Sequence, residues 1–225
     1  MTFFRVHGSD AGYLTATTIP GKFEGKNVHY AELRRAYCTV CQLAPPMRAH
    51  HCRVCQRCVA AFDHHCDFVA TCIGERNRCR FWWFLFAQAL GVGRCWSVLW
   101  SVDSTVFLML SNWKCGSFWL LLRLFMAKLY VSVTAAAAFF LFVLHTGLAV
   151  SGCTTFECLR WQRLPYMNGI PPYRMPFSQG SLCEDMRAYG CFDFYMYGKA
   201  LFWRHTVDAV DWRSRIWKPH HSLAA

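Results

Sequence analysis

Apolar and polar positions along the chain fall into stretches of different texture. Residues 1–37 mix the two with no long apolar run, and Gly8, Gly12, Gly21 and Gly25 interrupt them. This pattern predicts an irregular N-terminal lead-in. Over 38–81 cysteine, histidine and arginine dominate, and the apolar residues are too few to pack a core unaided, so metal must supply the organisation. After Arg80 the texture changes abruptly to FWWFLFAQALGVG, opening an apolar stretch over 82–110. A polar turn at 111–117 separates it from a second apolar stretch, 118–150. There Leu129–Val150 contains no charged residue, a run longer than the roughly 20 residues that carry a helix across a bilayer. Both stretches are therefore predicted transmembrane helices, and 151–225 returns to mixed composition as a C-terminal region.

Charge refines this picture. Only 16% of the 225 residues are charged, against about a quarter in soluble domains. The first apolar stretch carries Arg94, with Asp103 farther on. A charge at the bilayer centre costs about 2.5–3.5 kcal/mol, and on an ideal helix these two side chains lie on opposite faces. Arg94 is therefore expected to face another helix or a polar cavity. A soluble chain with two long core helices is the competing reading of the same pattern. Arg76, Arg78 and Arg80 precede the first stretch and Arg160 and Arg163 follow the second, while the turn holds only Lys114. Such asymmetry places both ends in the cytosol and the turn in the lumen. The net charge of +11 favours anionic partners: lipid headgroups, nucleotide phosphates or nucleic acid.

Fourteen cysteines suggest a disulfide scaffold or a metal site. Met1–Tyr37 lacks the apolar core of a secretory signal, and the cysteines gather in C-x-x-C pairs among histidines, which favours reduced, zinc-holding thiols. Cys38 and Cys41 form one pair, Cys52 and Cys55 another, and Cys58 follows. With His51, His65 and Cys72 the candidate ligands suffice for two tetrahedral ions. Then comes Asp63-His64-His65-Cys66. In an extended segment His64 and Cys66 share one face and His65 points to the other. His65 is then free to reach a metal while His64 takes the Cys66 proton, with Asp63 fixing the imidazole tautomer. Spacing leaves open that Cys66 is simply a further ligand.

From Cys38 to Phe81 the chain follows C-x2-C-x9-H-C-x2-C-x2-C-x4-D-H-H-C-x5-C-x4-N-x3-F, with Asn77 and Phe81 as its last fixed positions. In this it resembles the DHHC-type palmitoyltransferases. Thr154-Thr155-Phe156-Glu157 matches that family's T-T-x-E mark, and Phe177–Gly180 with Tyr189-Gly190 is similar to its C-terminal motif. The resemblance implies a mainly α membrane protein: two transmembrane helices plus a cytosolic, zinc-stabilised cysteine-rich domain with short β-hairpins. It implies one structural zinc on Cys38, Cys41, His51 and Cys58 and another on Cys52, Cys55, His65 and Cys72. Cys66 is then the nucleophile that takes a long-chain acyl group, such as palmitate, from acyl-CoA and passes it to substrate cysteines, with His64 and Asp63 as acid and base. The implied partners are the bilayer and membrane-associated proteins with cytosolic cysteines. The implied location is a multi-pass protein of the Golgi, endoplasmic reticulum or plasma membrane.

Some positions depart from the pattern. The family ordinarily carries two further helices ahead of the cysteine-rich domain, and residues 1–37 hold neither; a partial chain, a shortened reading of the gene and a divergent member needing a partner all fit. Phe68 replaces a usual tryptophan, Thr71 a usual asparagine, and Glu184 a frequent asparagine. These changes spare nucleophile and ligands. The competing function is a catalytically impaired zinc-containing membrane adaptor of the same family. A nucleic-acid binder fits poorly, since no separable basic recognition helix is present. Arg76, Arg78 and Arg80 are candidates for CoA phosphates or plain positive-inside anchors. Of the surplus cysteines, Cys79, Cys153 and Cys158 fall near the expected interface, as acyl acceptors or plain membrane-facing thiols.

Overall fold

A computed structural model describes residues 2–15, 37–45, 48–101 and 117–164, together with Met167 and Pro171. The chain divides into two compact units, Met1–Phe81 with Gly147–Ala225, and Trp82–Thr146. In order, the elements are α1 (Thr2–Val6), β1 (Tyr13–Leu14), β2 (His50–Cys52), β3 (Arg57–Val59), β4 (His64–Cys66), β5 (Thr71–Ile73), α2 (Arg78–Ser101), α3 (Ser117–Ser151) and α4 (Thr155–Arg160).

In the first unit, β1, β3 and β2 form an antiparallel sheet in that order, and β4 pairs with β5 as a separate hairpin. The strands are only two or three residues long because turns built on cysteine pairs cut them short. The two C-x-x-C turns repeat one geometry. The backbone N–H of Cys41 donates to Cys38 Sγ, and that of Cys55 to Cys52 Sγ, both at 3.4 Å. The residue after each turn, Gln42 or Gln56, takes a left-handed backbone with φ of 51° or 53°. What apolar core exists is small: Leu14, Leu43, Ala49, Cys58 and Ala60 make one cluster, and Ala11, Cys52, Val59 and Cys72 another. Candidate ligands are thus part of the packing itself.

The segment expected to be an irregular lead-in contains α1 and β1, and β1 is a strand of the sheet, with Tyr13 opposite Val59 and Leu14 opposite Cys58. The glycine that suggests irregularity is the device that delivers this strand. Asp10 Oδ1 accepts from the backbone N–H groups of Gly12 and Tyr13 at 2.8 and 3.0 Å, an Asx turn that Gly12 completes at φ 96°. Across from it Gly74 approaches so closely that a Cβ there would lie 2.6 Å from both Ala11 O and Val59 Cγ1.

In the second unit α2 and α3 run antiparallel. Near one end Trp82 packs at a tilt against Phe142 and its indole N–H donates to Thr146 Oγ1 at 3.0 Å. Toward the other, Trp96 Nε1 donates to Ser132 Oγ at 3.1 Å and Lys128 lies over the Trp100 ring. Among the described residues one helix, α3, is long and apolar enough to cross a bilayer. Its 35 residues expose Phe118, Trp119, Phe125, Tyr130, Phe139 and Phe140. The 24 residues of α2 do not reach that apolarity, since Arg80, Gln88 and Arg94 dilute them, so of the two predicted transmembrane helices the described residues give one candidate. The remainder of the first apolar stretch and most of the expected turn at 111–117 lie outside the described residues, as do Phe177–Gly180, Glu184 and Tyr189-Gly190.

Candidate functional site

Strand register explains how eight ligand side chains sort into two groups. In the β2–β3 hairpin His51 stands opposite Cys58, and in the β4–β5 hairpin His65 stands opposite Cys72. Each cross-strand His–Cys pair meets one C-x-x-C turn. Cys38, Cys41, His51 and Cys58 bring their ligand atoms within 4.8 Å of one another, and so do Cys52, Cys55, His65 and Cys72. The sulfurs lie 3.5, 3.3 and 3.9 Å from His51 Nδ1 in the first group, and 3.8, 3.3 and 3.6 Å from His65 Nδ1 in the second. A tetrahedron with Zn–S of about 2.3 Å and Zn–N of about 2.0–2.1 Å has edges of about 3.6 Å. The Cys/His clusters are consistent with zinc binding. The groups interlock, because the turn joining β2 to β3 carries Cys52 and Cys55 of the second while its strands carry His51 and Cys58 of the first. Burial and neighbouring thiols push the Cys58 and Cys72 thiols well up, so each set needs a cation before its three sulfurs can ionise together.

Side chains around the second group orient its ligands. Asp67 Oδ1 is 3.5 Å from His65 Nε2, leaving Nδ1 turned to the cysteines. Tyr13 donates to Cys55 Sγ at 3.6 Å and lies under the Arg57 guanidinium. Buried Asn77 ties the segment after β5: its Oδ1 accepts from Gly74 N at 2.9 Å, and its Nδ2 donates to Cys72 O at 2.8 Å and Ser9 Oγ at 3.1 Å.

Cys66 belongs to neither group. On β4 it stands two positions after His64, on the same side of the strand, and His64 Nδ1 is 2.5 Å from Asp63 Oδ2. Burial alone would lower the His64 pKa, but Asp63 and Cys66 overcome it and push it up to about 9. For Cys66, burial raises the thiol, yet His64 and the backbone N–H groups of Val69 and Phe68 bring it below the ordinary value. The two shifts run in the direction that favours a charged imidazole beside a thiolate. The His64 ring also packs edge-on against Phe81 at 5.3 Å.

Asp63 is positioned from far along the chain. Thr155 donates to it twice, through its backbone N–H at 2.6 Å and its hydroxyl at 3.0 Å. Thr155 opens α4, whose start is a capping box: Thr154 accepts from Glu157 N–H at 3.2 Å, and Glu157 Oε2 accepts from Thr154 N–H at 2.9 Å. Glu157 is also gripped by Arg48, at 2.6 and 2.8 Å, in a bidentate pair with both side chains buried, and Arg48 donates to Gly152 O at 2.7 Å. Phe156 packs at a tilt against His50, centroids 4.0 Å apart, and burial holds that imidazole down at about 4, hence neutral. Arg48, Tyr13, Asp67 and the role of Thr155 were not read from the sequence. Only the T-T-x-E mark signalled part of this set.

A Cys/His-rich layer with an Asp-His-His-Cys strand, joined by T-T-x-E to a helix start, is a specific combination. The family model of the DHHC palmitoyltransferases matches residues 31–162. The chain is similar to Protein S-acyltransferase 10 of Arabidopsis thaliana, with 33% identity over 149 residues, which is 66% of this chain and 41% of that protein. It therefore spans less than half the length of this curated relative. With more than half of its residues inside the family match, and with Asp63, His64, His65 and Cys66 at the centre of that match, the chain belongs to the DHHC palmitoyltransferase family.

Proposed function

We propose that the protein is an S-acyltransferase that moves a long-chain acyl group, palmitate in the first instance, from acyl-CoA to cysteines of membrane-associated proteins. The observation that carries this reading is the exclusion of Cys66 from both ligand groups, with His64 two positions before it on β4 and itself bonded to Asp63. Cys66 Sγ attacks the thioester carbonyl, and the bond from that carbon to the CoA sulfur breaks. His64 holds the proton that Cys66 gives up and returns it to the departing CoA thiolate. In the second step a substrate thiol yields its proton to His64, its sulfur takes the acyl carbon, and Cys66 leaves and is reprotonated. Asp63 holds His64 in one tautomer and stabilises its charged form. Two zinc ions, one on Cys38, Cys41, His51 and Cys58 and one on Cys52, Cys55, His65 and Cys72, would serve as structural ions that fix the strands carrying these groups.

The site is taken to act at a bilayer. A sixteen-carbon chain gains on the order of 12 kcal/mol on burial, at about 0.8 kcal/mol per methylene, so an acyl donor and its product both stay with lipid. In this reading α3 and α2 both span, the second with Arg94 turned from lipid. The cysteine-rich layer over 38–81 and the region after 151 then face the cytosol. Endomembranes and the plasma membrane are the compartments where such substrates reside. The name of the Arabidopsis relative points the same way.

The test uses the purified full chain in detergent with a labelled palmitoyl-CoA. Hydroxylamine-sensitive label is expected on the protein and absent from Cys66→Ser. In His64→Ala it should fall by about 100-fold or more, the usual scale of general acid–base catalysis. Full zinc content without label in the intact protein would overturn the transferase in favour of an adaptor of the same family.

A further inference from the structure

Cys153 and Cys158, which neither ligand group uses, bracket the four residues that hold Asp63 and Arg48. With Thr154 as N-cap of α4 and Glu157 as its third residue, Cys153 stands one position before the cap and Cys158 at the fourth position of the helix. Residues at those two places pack together as the hydrophobic staple that fixes how a chain enters a helix. Here both are thiols, each near enough to shift the other's ionisation. Cys153 is buried beside Leu164 and Met167, whereas Cys158 is exposed.

We propose that Cys153 and Cys158 form a redox-active dithiol, a modification site that hydroperoxides close to a disulfide across the start of α4. The neighbouring Cys153 thiol draws the Cys158 pKa below its ordinary value, so the accessible partner has the thiolate character that attack on an oxidant requires. Cys158 Sγ attacks one peroxide oxygen, the O–O bond breaks, and sulfenic acid and hydroxide form. Cys153 Sγ then attacks the sulfenic sulfur, forming the S–S bond and expelling its oxygen as water. The two thiol protons and the hydroxide complete the balance: the dithiol loses two electrons and the peroxide becomes two waters. A disulfide of about 2.05 Å is shorter than any non-bonded contact between two sulfurs. Closure therefore pulls on Thr154–Glu157, and with them on the supports of Asp63 and Arg48.

The zinc-loaded full chain is treated with limiting hydrogen peroxide, alkylated in denaturant without reductant, and cleaved after Glu157, which separates the two cysteines. The expected product is a Cys153–Cys158 linked pair of peptides, with both zinc ions retained and Cys66 alkylated. Cys158 recovered as a single alkylated thiol, as sulfinic acid, or linked elsewhere overturns the proposal, as does zinc release before the link forms. In Cys153→Ser the oxidised Cys158 should stop at a dimedone-reactive sulfenic acid. Equal dimedone labelling of the unsubstituted protein also overturns it. A second readout rests on the acyl-transfer reading above: Cys66 labelling should fall about tenfold or more on oxidation, as for a small misplacement of catalytic groups, and return with dithiothreitol. In Cys158→Ser it should not fall. Peptide mapping needs no activity, so a protein that never accepts label leaves this test intact while striking the transferase reading.

Discussion

Asp63 is the residue on which the most distant parts of the sequence converge. It is buried and ionisable, and His64 and both donors of Thr155 face its charge. Thr155→Val keeps shape and backbone N–H and removes the hydroxyl. A hydrogen bond to a charged group is worth about 1.5–3 kcal/mol, and each 1.4 kcal/mol is tenfold in rate. Cys66 labelling should therefore slow by one to two orders of magnitude with zinc content unchanged, and Thr155→Ser should recover most of it; an unchanged rate removes Thr155 from the positioning of Asp63. A second prediction concerns Asn77, whose loss in Asn77→Ala leaves Gly74 N–H and Cys72 C=O without their side-chain partner. At about 1–3 kcal/mol for each unsatisfied buried group, the zinc-loaded protein should lose about 2–6 kcal/mol in denaturant titration. A loss below about 1 kcal/mol would show that water or backbone takes over those partners.

Among the elements, α4 is short, and its place is fixed by one ion pair more than by its own six residues. Arg48 reaches it from a left-handed backbone, φ 69°, a conformation uncommon for a residue with a side chain. Removing one partner of a buried pair leaves an uncompensated charge at a cost of about 3–5 kcal/mol, whereas replacing both by apolar groups is often neutral. Arg48→Met and Glu157→Leu should each lower stability on that scale, and the two together by less than their sum. Additive effects in thermal denaturation would mean that the pair does not couple the two segments. The same contact marks the border of what the sequence discloses. The eight candidate ligands are legible because C-x-x-C pairs among histidines are a local pattern, whereas their sorting into two sets rests on the family resemblance and, in the structure, on the cross-strand His–Cys pairs. The separate faces of His64 and His65 are likewise legible from strand alternation. The Arg48–Glu157 and Asp63–Thr155 partnerships are not, because their partners stand 109 and 92 residues apart and arginine, glutamate and threonine are ordinary surface residues in composition. Tyr13 escaped for a related reason: a strand of two residues carries too little alternation to announce itself between glycines.

At the scale of the whole molecule, two kinds of solvent organise two kinds of structure. The first unit has small apolar clusters in which Cys52, Cys58 and Cys72 are both core and candidate ligands. Structural zinc in small domains supplies about 10–16 kcal/mol, comparable to or greater than the 5–15 kcal/mol total stability typical of a folded domain. The helices of the second unit owe nothing to metal: their backbone bonds are internal, and α3 presents aromatic and aliphatic side chains outward along its length, as a helix in lipid does. Metal removal should therefore separate the two. With a strong chelator in detergent or bilayer, two zinc ions per chain should be released and the segment from Cys38 to Phe81 should become protease-sensitive. The helical circular-dichroism signal of α2 and α3 should persist. Because the two ligand groups share the β2–β3 hairpin, release of the second ion should follow the first without a stable one-zinc species. A long-lived form holding one ion, with β4 still protected from protease, would show that each centre stands on its own and that the interlocking of Cys52 and Cys55 with His51 and Cys58 carries no cooperative weight.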